Sequence, residues 1–429
     1  MPSSRNIVRH LASKLSARGI FEITILYFGY SFRFLSPLIL YPLLARIFGV
    51  SQFGLYTTAF SLALMISVVV EYGFNLSGTR DIAAARDAKQ RGSIAARVVF
   101  ARVLLIPIGI AIGLALALSN PAFHDNRTLV GLAILLGCGQ GSTAFWYFQG
   151  VRKVMTAVVL EVSGQLTALV AILAFVRNSD DVELAIALQA LGVCFSAVIG
   201  SWMIFKEAPA SVPRLGEAID TLTEGFALFL TRASVMIYTS ASVFLLAALS
   251  SPAQAAFYGV AERVTSAASS LLRPLSSFVM PRVAESLERD RVGAFRLARQ
   301  ALFGVTVAFG VGAAMLALGA APLLHFGFGA QFEAGTLPLR ILAFCLPIAA
   351  GNQILGTNLM VPLRLDRRML LVLAFGGGVN LALAVILVPS QGAVGMALSR
   401  LMTEVAITAA FFVLLRPYLR ELFPRSTKA

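Results

Sequence analysis

The sequence predicts an all-α integral membrane protein with twelve transmembrane helices, arranged as two pseudo-symmetric six-helix bundles around a central cavity. Three observations carry that expectation. First, 58% of the 429 residues are hydrophobic and only 13% are charged, with a mean hydropathy of +0.82. A soluble domain averages about 25% charged residues, so a bilayer must solvate this much apolar surface. Second, apolar runs long enough to cross a hydrocarbon core of about 30 Å, roughly 20 residues each, recur along the whole chain. Third, the stretch ARIFGVSQFGLYTTAFSLALMISVVVEYGFNLSGTRDIA is echoed in the second half by LAALSSPAQAAFYGVAERVTSAASSLLRPLSSFVMPRVAE. Tyr56 precedes Arg80 by 24 positions and Tyr258 precedes Arg282 by the same 24. Parallel repeats of this kind place a substrate path between the halves.

The spans are expected at 21–47, 53–74, 96–119, 128–148, 154–176 and 182–205, then at 224–249, 253–280, 298–320, 335–361, 369–388 and 391–416. They divide the chain into an N-terminal lobe, 1–205, and a C-terminal lobe, 206–429. The second lobe opens with a linker, 206–223, that carries Pro209 and Pro213. The halves match again further on: Arg152-Lys153 stands before the fifth span as Arg367-Arg368 stands before the eleventh.

The loops support the count. Basic residues fall in every second loop: Arg80, Arg86, Lys89 and Arg91; Arg152 and Lys153; Lys206 and Arg214; Arg282, Arg289, Arg291 and Arg296; Arg364, Arg367 and Arg368. The alternate loops carry only Arg127 and Arg177. The positive-inside rule then places both termini in the cytoplasm. The basic head, Met1 to Arg18, lacks the apolar core and cleavage site of a signal peptide, so the first span is expected to be retained.

Several function classes fall away. The net charge of +14 belongs to topology, with no basic patch of interleaved aromatics for nucleic acid. Cys138, Cys194 and Cys345 are far apart, and His10, His124 and His325 are scattered, so neither a disulfide nor a metal site is expected. No cofactor is implied. The glycine clusters Gly137/Gly139/Gly141, Gly310/Gly312 and Gly376–Gly378 lie inside apolar spans, where they suit close helix packing. There is no GxxxxGK[ST] loop to use ATP.

The informative residues are the charges inside the spans. An arginine at mid-bilayer costs about 2.5–3.5 kcal/mol and should face protein or water. Arg33, Arg232, Arg263, Arg273, Arg340 and Arg400 are such arginines. Tyr258, Glu262, Ser266, Ser269, Arg273 and Ser277 recur at helical spacing and form one polar stripe, which lipid cannot solvate. Arg33, Arg232 and Arg273 read as cavity lining. For Arg263 and Arg400, each close to a glutamate, cavity lining and helix pinning both stand; for Arg340, near a helix start, a structural role comes first. The acids are Glu71, Glu161, Glu262 and Glu404. They are the candidates for binding a coupling proton or ion, with paired structural roles as the other reading. Glu404 lies four residues after Arg400 and can pair with it on one face. Excess arginine suits an anionic substrate, because guanidinium stays charged and grips phosphate bidentately.

With these residues in hand, the chain resembles the Wzx-type polysaccharide flippases of the multidrug/oligosaccharidyl-lipid/polysaccharide exporter superfamily. The stretches GVSQFGLYTTAFSL, EYGFNLSGTRDIA, FWYFQGVRK and AAFYGVAERVTSAASSLLRPLSSFVMPR carry the resemblance. It implies two six-helix bundles around a cationic cavity in the bacterial inner membrane. It implies transport, not catalysis: an undecaprenyl-pyrophosphate-linked oligosaccharide crosses between leaflets by ion-coupled alternating access, for O-antigen, capsule or exopolysaccharide. Membrane lipids, a polysaccharide polymerase and a chain-length regulator are the implied partners. It also implies that Arg33, Arg232, Arg263 and Arg273 lie on helices that supply cavity charge. The alternatives are a multidrug exporter of the same superfamily, a lipid II flippase, and a membrane polymerase or ligase. The cationic charge argues against the first, and the absence of two extra C-terminal helices against the second. The shortness of the external loops argues against the third.

Overall fold

The computed structural model describes residues 17–209 and 212–422; the side chains of residues 17–37, 273, 274, 277, 419 and 420 lie outside that description. The described residues form helices joined by short turns, with no strand among them. In chain order the helices are α1 (Ala17–Glu71), α2 (Phe74–Ala84), α3 (Ala88–Leu118), α4 (Arg127–Gly141), α5 (Phe145–Gly150), α6 (Val154–Phe175) and α7 (Val182–Glu207). The second half supplies α8 (Leu215–Tyr238), α9 (Ala241–Leu249), α10 (Pro252–Ser270), α11 (Leu272–Arg289) and α12 (Arg291–Leu318). It closes with α13 (Ala320–Phe328), α14 (Thr336–Gln353), α15 (Asp366–Leu414) and α16 (Leu419–Leu422).

Eight of the described helical segments are long and apolar enough to cross a membrane, or nine if the bent pair α8–α9 counts as one. Two of these segments are hairpins. In α1 the chain breaks at Gly49, φ 67°, and Tyr41 then meets Tyr56 at 5.9 Å between ring centroids. A straight helix would hold residues 41 and 56 more than ~20 Å apart at 1.5 Å per residue. In α15 the break is Gly392, φ 55°, and Asn380 reaches Thr403 at 3.2 Å. Both turns use a positive φ that only glycine adopts without strain. Twelve spans are consistent with these hairpins once α10 and α11 are counted, a pair too polar to register as an apolar segment.

The boundaries depart from expectation where tertiary packing interrupts a helix. The fourth span is split between α4 and α5, and the seventh bends by 46° between α8 and α9. The eighth is interrupted at Leu271, and the tenth ends in a π-helix, Ile354–Met360. Helix α8 begins at Leu215, inside the stretch read as a linker. The repeat also shifts in register. Arg152 and Arg364, at φ 60° and 58°, each end a helix in the same way. The Lys153 N–H bonds Phe148 O at 2.8 Å and the Leu365 N–H bonds Met360 O at 2.9 Å, the six-to-one bond of a Schellman motif. Arg152 therefore corresponds to Arg364, not to Arg367.

Glycine packing follows the expectation in two clusters of three. A Cβ on Gly137 would stand 2.5 Å from Ala63 O, and one on Gly376 would stand 2.6 Å from Ile407. Gly310 and Gly312 meet nothing within 4 Å, and nothing in the structure explains them. Large apolar side chains such as Val103, Val170, Phe303, Val311 and Met315 stay exposed on the outer surface, as a lipid-facing belt requires.

The two halves meet mainly at one end of the bundle, the end of the Gly49 and Gly392 turns. There one buried core takes Leu44, Phe53 and Tyr56 from the first half and Phe244, Tyr258 and Phe332 from the second. Gly54 packs so tightly on α10 that an added Cβ would lie 1.8 Å from Pro252 O. Phe53 sits edge-on to Phe332 at 5.6 Å, the Asn120 amide donates to Phe244 O at 3.2 Å, and Arg46 Nε donates to Gly327 O at 3.2 Å. At the opposite end the cores separate. Phe74, Trp146 and Ile204 belong to one, and Val283, Phe295 and Phe411 to another. Among the described residues α8 crosses between them, with Ala218 packed in the first-half core and Tyr238 in the second-half core.

This geometry predicts that Gly54→Ala prevents the halves from closing at the turn end. Thr57, 4% exposed, faces Gly259 in that contact. A cysteine at position 57 should react with an impermeant maleimide several-fold faster in the Gly54→Ala background. Equal rates would show that the contact does not hold the halves together.

Candidate transport cavity and its charges

Tyr258, Glu262, Ser266 and Ser269 of the polar stripe expected on the eighth span share α10; the side chains of Arg273 and Ser277, on α11, lie outside the described residues. Tyr258, Glu262, Thr265, Ser266 and Ser269 line a cavity of about 90 Å³ together with Thr239 from the end of α8, Cys345 and Ala349 from α14, and Arg400 from α15. That volume has room for water, and its lining offers the water several polar partners. The cavity belongs to the second half. Within it the Ser266 hydroxyl donates to Glu262 Oε1 at 3.2 Å.

Arg400 and Glu404 pair as their spacing suggests, with Nη2 2.8 Å from Oε1. The second Glu404 oxygen accepts from Asn352 Nδ2 at 2.9 Å, and Asn352 in turn accepts from Thr408 at 2.8 Å. The Arg400 guanidinium also donates to Tyr238 O and lies 4.6 Å over the Tyr238 ring. Arg400 thus ties α15 to the kink at the end of α8. Its side chain is 18% exposed and that of Glu404 5%.

Arg263 points the other way from Glu262, as neighbours about 100° apart on a helix do. It crosses to the first half, where Nη2 donates to the Tyr41 hydroxyl and the guanidinium stands 4.0 Å over the Tyr41 ring and 5.6 Å from Phe60. Its Nε is buried with no hydrogen-bond partner among the described residues. Tyr56 is bonded to Gln189 at 2.9 Å beside it, so an aromatic and amide shell holds this cation where the halves converge.

Arg232 also crosses between halves. Its Nη2 is 3.0 Å from Glu71 Oε2, with side-chain exposures of 40% and 8%. Behind Glu71 lies Arg102 on α3, only 3% exposed, which was not among the charges singled out from the sequence. Arg102 donates to Thr143 O at 2.8 Å and to Asn75 Oδ1 at 3.5 Å, with Phe74 and Trp146 against its guanidinium at 5.9 and 5.6 Å. Its one sequence signal is its place inside the expected third span.

The described arginines therefore do not converge on one point. Arg232 sits with Glu71, Arg263 with Tyr41, and Arg400 with Glu404. Arg33 on α1 and Arg273 on α11 lie outside the described side chains. Glu161 is half-buried on α6 and does not line the cavity. Arg340 is exposed and donates to Ala317 O at 3.2 Å.

The Arg400–Glu404 pair yields a stability prediction. Removing one member of a buried pair costs about 3–5 kcal/mol, because the other charge stays behind uncompensated. Glu404→Gln should lower the thermal midpoint in detergent markedly, and Arg400→Met with Glu404→Gln should recover most of the loss. Equal midpoints for Glu404→Gln and the parent protein would show that the pair is not a structural tie.

Comparison with known proteins gives the architecture its context. Residues 21–287 match the family described as polysaccharide biosynthesis protein. A protein of Escherichia coli (strain K12) named "Putative O-antigen transporter" is 24% identical over 89% of this chain and 93% of its own length. A Shigella dysenteriae protein of the same name is 28% identical over 90% of this chain and 97% of its own. Among solved structures, an inward-facing multidrug resistance MATE family transporter of the MOP superfamily superposes with a TM-score of 0.71 at 14% identity. It covers 91% of this chain and 96% of that one. The lipid II flippase MurJ, in an inward closed conformation, gives 0.65 at 13% identity, over 93% and 90% of the two chains. The fold is thus that of the MOP transporters. With the family match extending over more than half of its length, this multi-pass membrane chain belongs to the polysaccharide biosynthesis protein family.

Proposed function

We propose that the protein is a flippase that moves an undecaprenyl-pyrophosphate-linked oligosaccharide between the leaflets of the bacterial inner membrane. The observation that carries the reading is Arg263: in a chain of this family, a guanidinium is held between the two halves with a buried nitrogen free of any described partner. The relatives named as O-antigen transporters supply the substrate class. A pyrophosphate and its sugars cannot cross hydrocarbon unaided, whereas the polyprenyl tail stays in lipid. Arginines inside the bundle lower the barrier for the head group, because their fork matches phosphate geometry and they keep their charge.

In this reading, 1–205 and 206–429 are the two lobes, and they rock about the contact between α1 and α10. The basic loops give the separated end of the bundle to the cytoplasm, with both termini there. Arg33, Arg232, Arg263, Arg273 and Arg400 serve the head group in turn as access alternates. Glu262 is the proposed coupling acid. Its described hydrogen bond comes from a hydroxyl in a pocket with room for water, while Glu71 and Glu404 each face an arginine. The flipped product feeds a polysaccharide polymerase and a chain-length regulator, the proposed partners.

The test uses protein in nanodiscs. An undecaprenyl-pyrophosphate-oligosaccharide should raise the thermal midpoint, and Arg263→Gln should weaken that binding about tenfold, roughly one strong charge-assisted contact. Neutralising Arg33, Arg232 and Arg273 together should abolish flipping in correctly inserted protein. Stabilisation by a lipophilic cation alone, dependent on Glu262, would identify a drug exporter instead.

A further inference from the structure

The cluster around Glu71 is built in a way that a simple staple between helices does not require. One carboxylate pairs with an arginine of the second half and is linked through Asn75 to an arginine of the first. Arg232 arrives on α8 from the second half and keeps 40% of its side chain exposed. Arg102 belongs to the first half, is 3% exposed, and feels the Glu71 carboxylate electrostatically. Asn75 joins them: its N–H donates to Glu71 Oε1 at 3.2 Å, and its side-chain oxygen accepts from Arg102 Nη2 at 3.5 Å. The group as a whole carries one surplus positive charge, and the exposed cation is the one free to meet a solute.

The same spot is where α8 grips the first half. One turn before Arg232, Phe229 stacks on Tyr72 with ring centroids 4.6 Å apart and planes 10° from parallel. The chain turns there through Tyr72 and Gly73, at φ 51° and 84°, and a Cβ on Gly73 would lie 2.9 Å from Leu228. The other end of α8 is bound to the second half, through Ser234 O against Gly377 and Tyr238 O against Arg400. One helix is therefore shared by both halves, and the Glu71–Arg232 ion pair stands at its first-half grip.

We propose that Glu71 is a resident counter-ion which the pyrophosphate of the substrate displaces from Arg232, that Arg102 balances Glu71 once Arg232 has left, and that this exchange releases α8 from the first half. The inference rests on the flippase reading above. The exchange leaves neither Glu71 nor Arg232 without a counter-charge at either stage, and the pyrophosphate meets the surplus positive charge of the group. Before it, Arg232 is neutralised by Glu71. After it, Arg232 is neutralised by the substrate, and Glu71 by Arg102 through Asn75. Without Arg102, the departure of Arg232 would strand a buried carboxylate, which is strongly unfavourable. Arg232 is a binding residue in this scheme, and Glu71 and Arg102 are positioning residues.

The experiment measures binding of undecaprenyl pyrophosphate, with undecaprenol as the neutral control, to the full chain in nanodiscs. Spin labels at Arg80→Cys and Glu217→Cys, with the three native cysteines replaced by alanine, report the separation of α8 from the first half. Glu71→Gln should bind the pyrophosphate at least fivefold tighter than the parent, and should show without ligand the label distance that the parent shows only with it. Glu71→Asp, which keeps the charge but draws it back from Arg232, should shift both readings the same way and covers a folding failure of the glutamine variant. Arg102→Met should weaken binding, and Glu71→Gln with Arg102→Met should restore it; a purely structural Arg102 would not be rescued. Pyrophosphate binding by the parent that Glu71→Gln leaves unchanged or weakens overturns the exchange and leaves the flippase reading standing. Parent protein that binds the pyrophosphate no better than undecaprenol overturns both.

Discussion

The structure depends on a backbone contact with no room for a methyl group. Gly54 of the first half lies directly on the Pro252 carbonyl of the second. That approach lets α1 and α10, the equivalent helices of the two repeats, pack along one another near the turn end. Tyr56 and Tyr258 are then fully buried in a common core. Because the halves are joined there, they are free to diverge at the other end, and the separate cores around Trp146 and around Phe295 follow. The wedge-like arrangement comes from a short contact on one side and, among the described residues, separate cores bridged by α8 on the other.

Within that frame, each buried charge is met by a different means. Arg400 has a carboxylate on its own helix. Arg263 has aromatic faces and a phenol from the opposite half. Arg232 and Arg102 share one carboxylate across the halves. These solutions differ in how reversible they are. The Arg400 pair is local to one helix and bonded to Asn352, so movement of the halves does not by itself break it. The Arg263 and Arg232 contacts join parts that separate when the halves move, so they are made and broken in every transport cycle of the proposed mechanism.

Much of this was legible in the sequence because the bilayer imposes simple rules. The apolar runs, the hydroxyl stripe on α10 and the i, i+4 pairing of Arg400 with Glu404 all follow from helical spacing and the cost of polar groups in lipid. The hairpins at Gly49 and Gly392 follow from span length. Of the breaks within spans, the one at Leu271 has a signal in Pro274, three residues on, whereas the Thr239-Ser240 bend lies in a run with no glycine or proline and is set by packing against other helices. The pairing of Glu71 with Arg232 joins residues far apart in sequence, so no local pattern contains it. Arg102 has no carboxylate at helical spacing to mark it until the fold shows it wrapped by Phe74 and Trp146. The repeat itself was legible but misregistered, since the backbone corner at Arg152 and Arg364 is a conformation and leaves little trace in residue type.

Arg102 also constrains how the chain is made. Its own helix offers it no carboxylate, and Glu71 lies upstream at the end of α1. During synthesis the partner has already emerged when Arg102 reaches the membrane. The third span therefore enters the bilayer most cheaply beside the second, where Glu71 offsets the charge of Arg102, rather than as a lone helix. The order of residues along the polypeptide thus serves assembly as well as the finished fold.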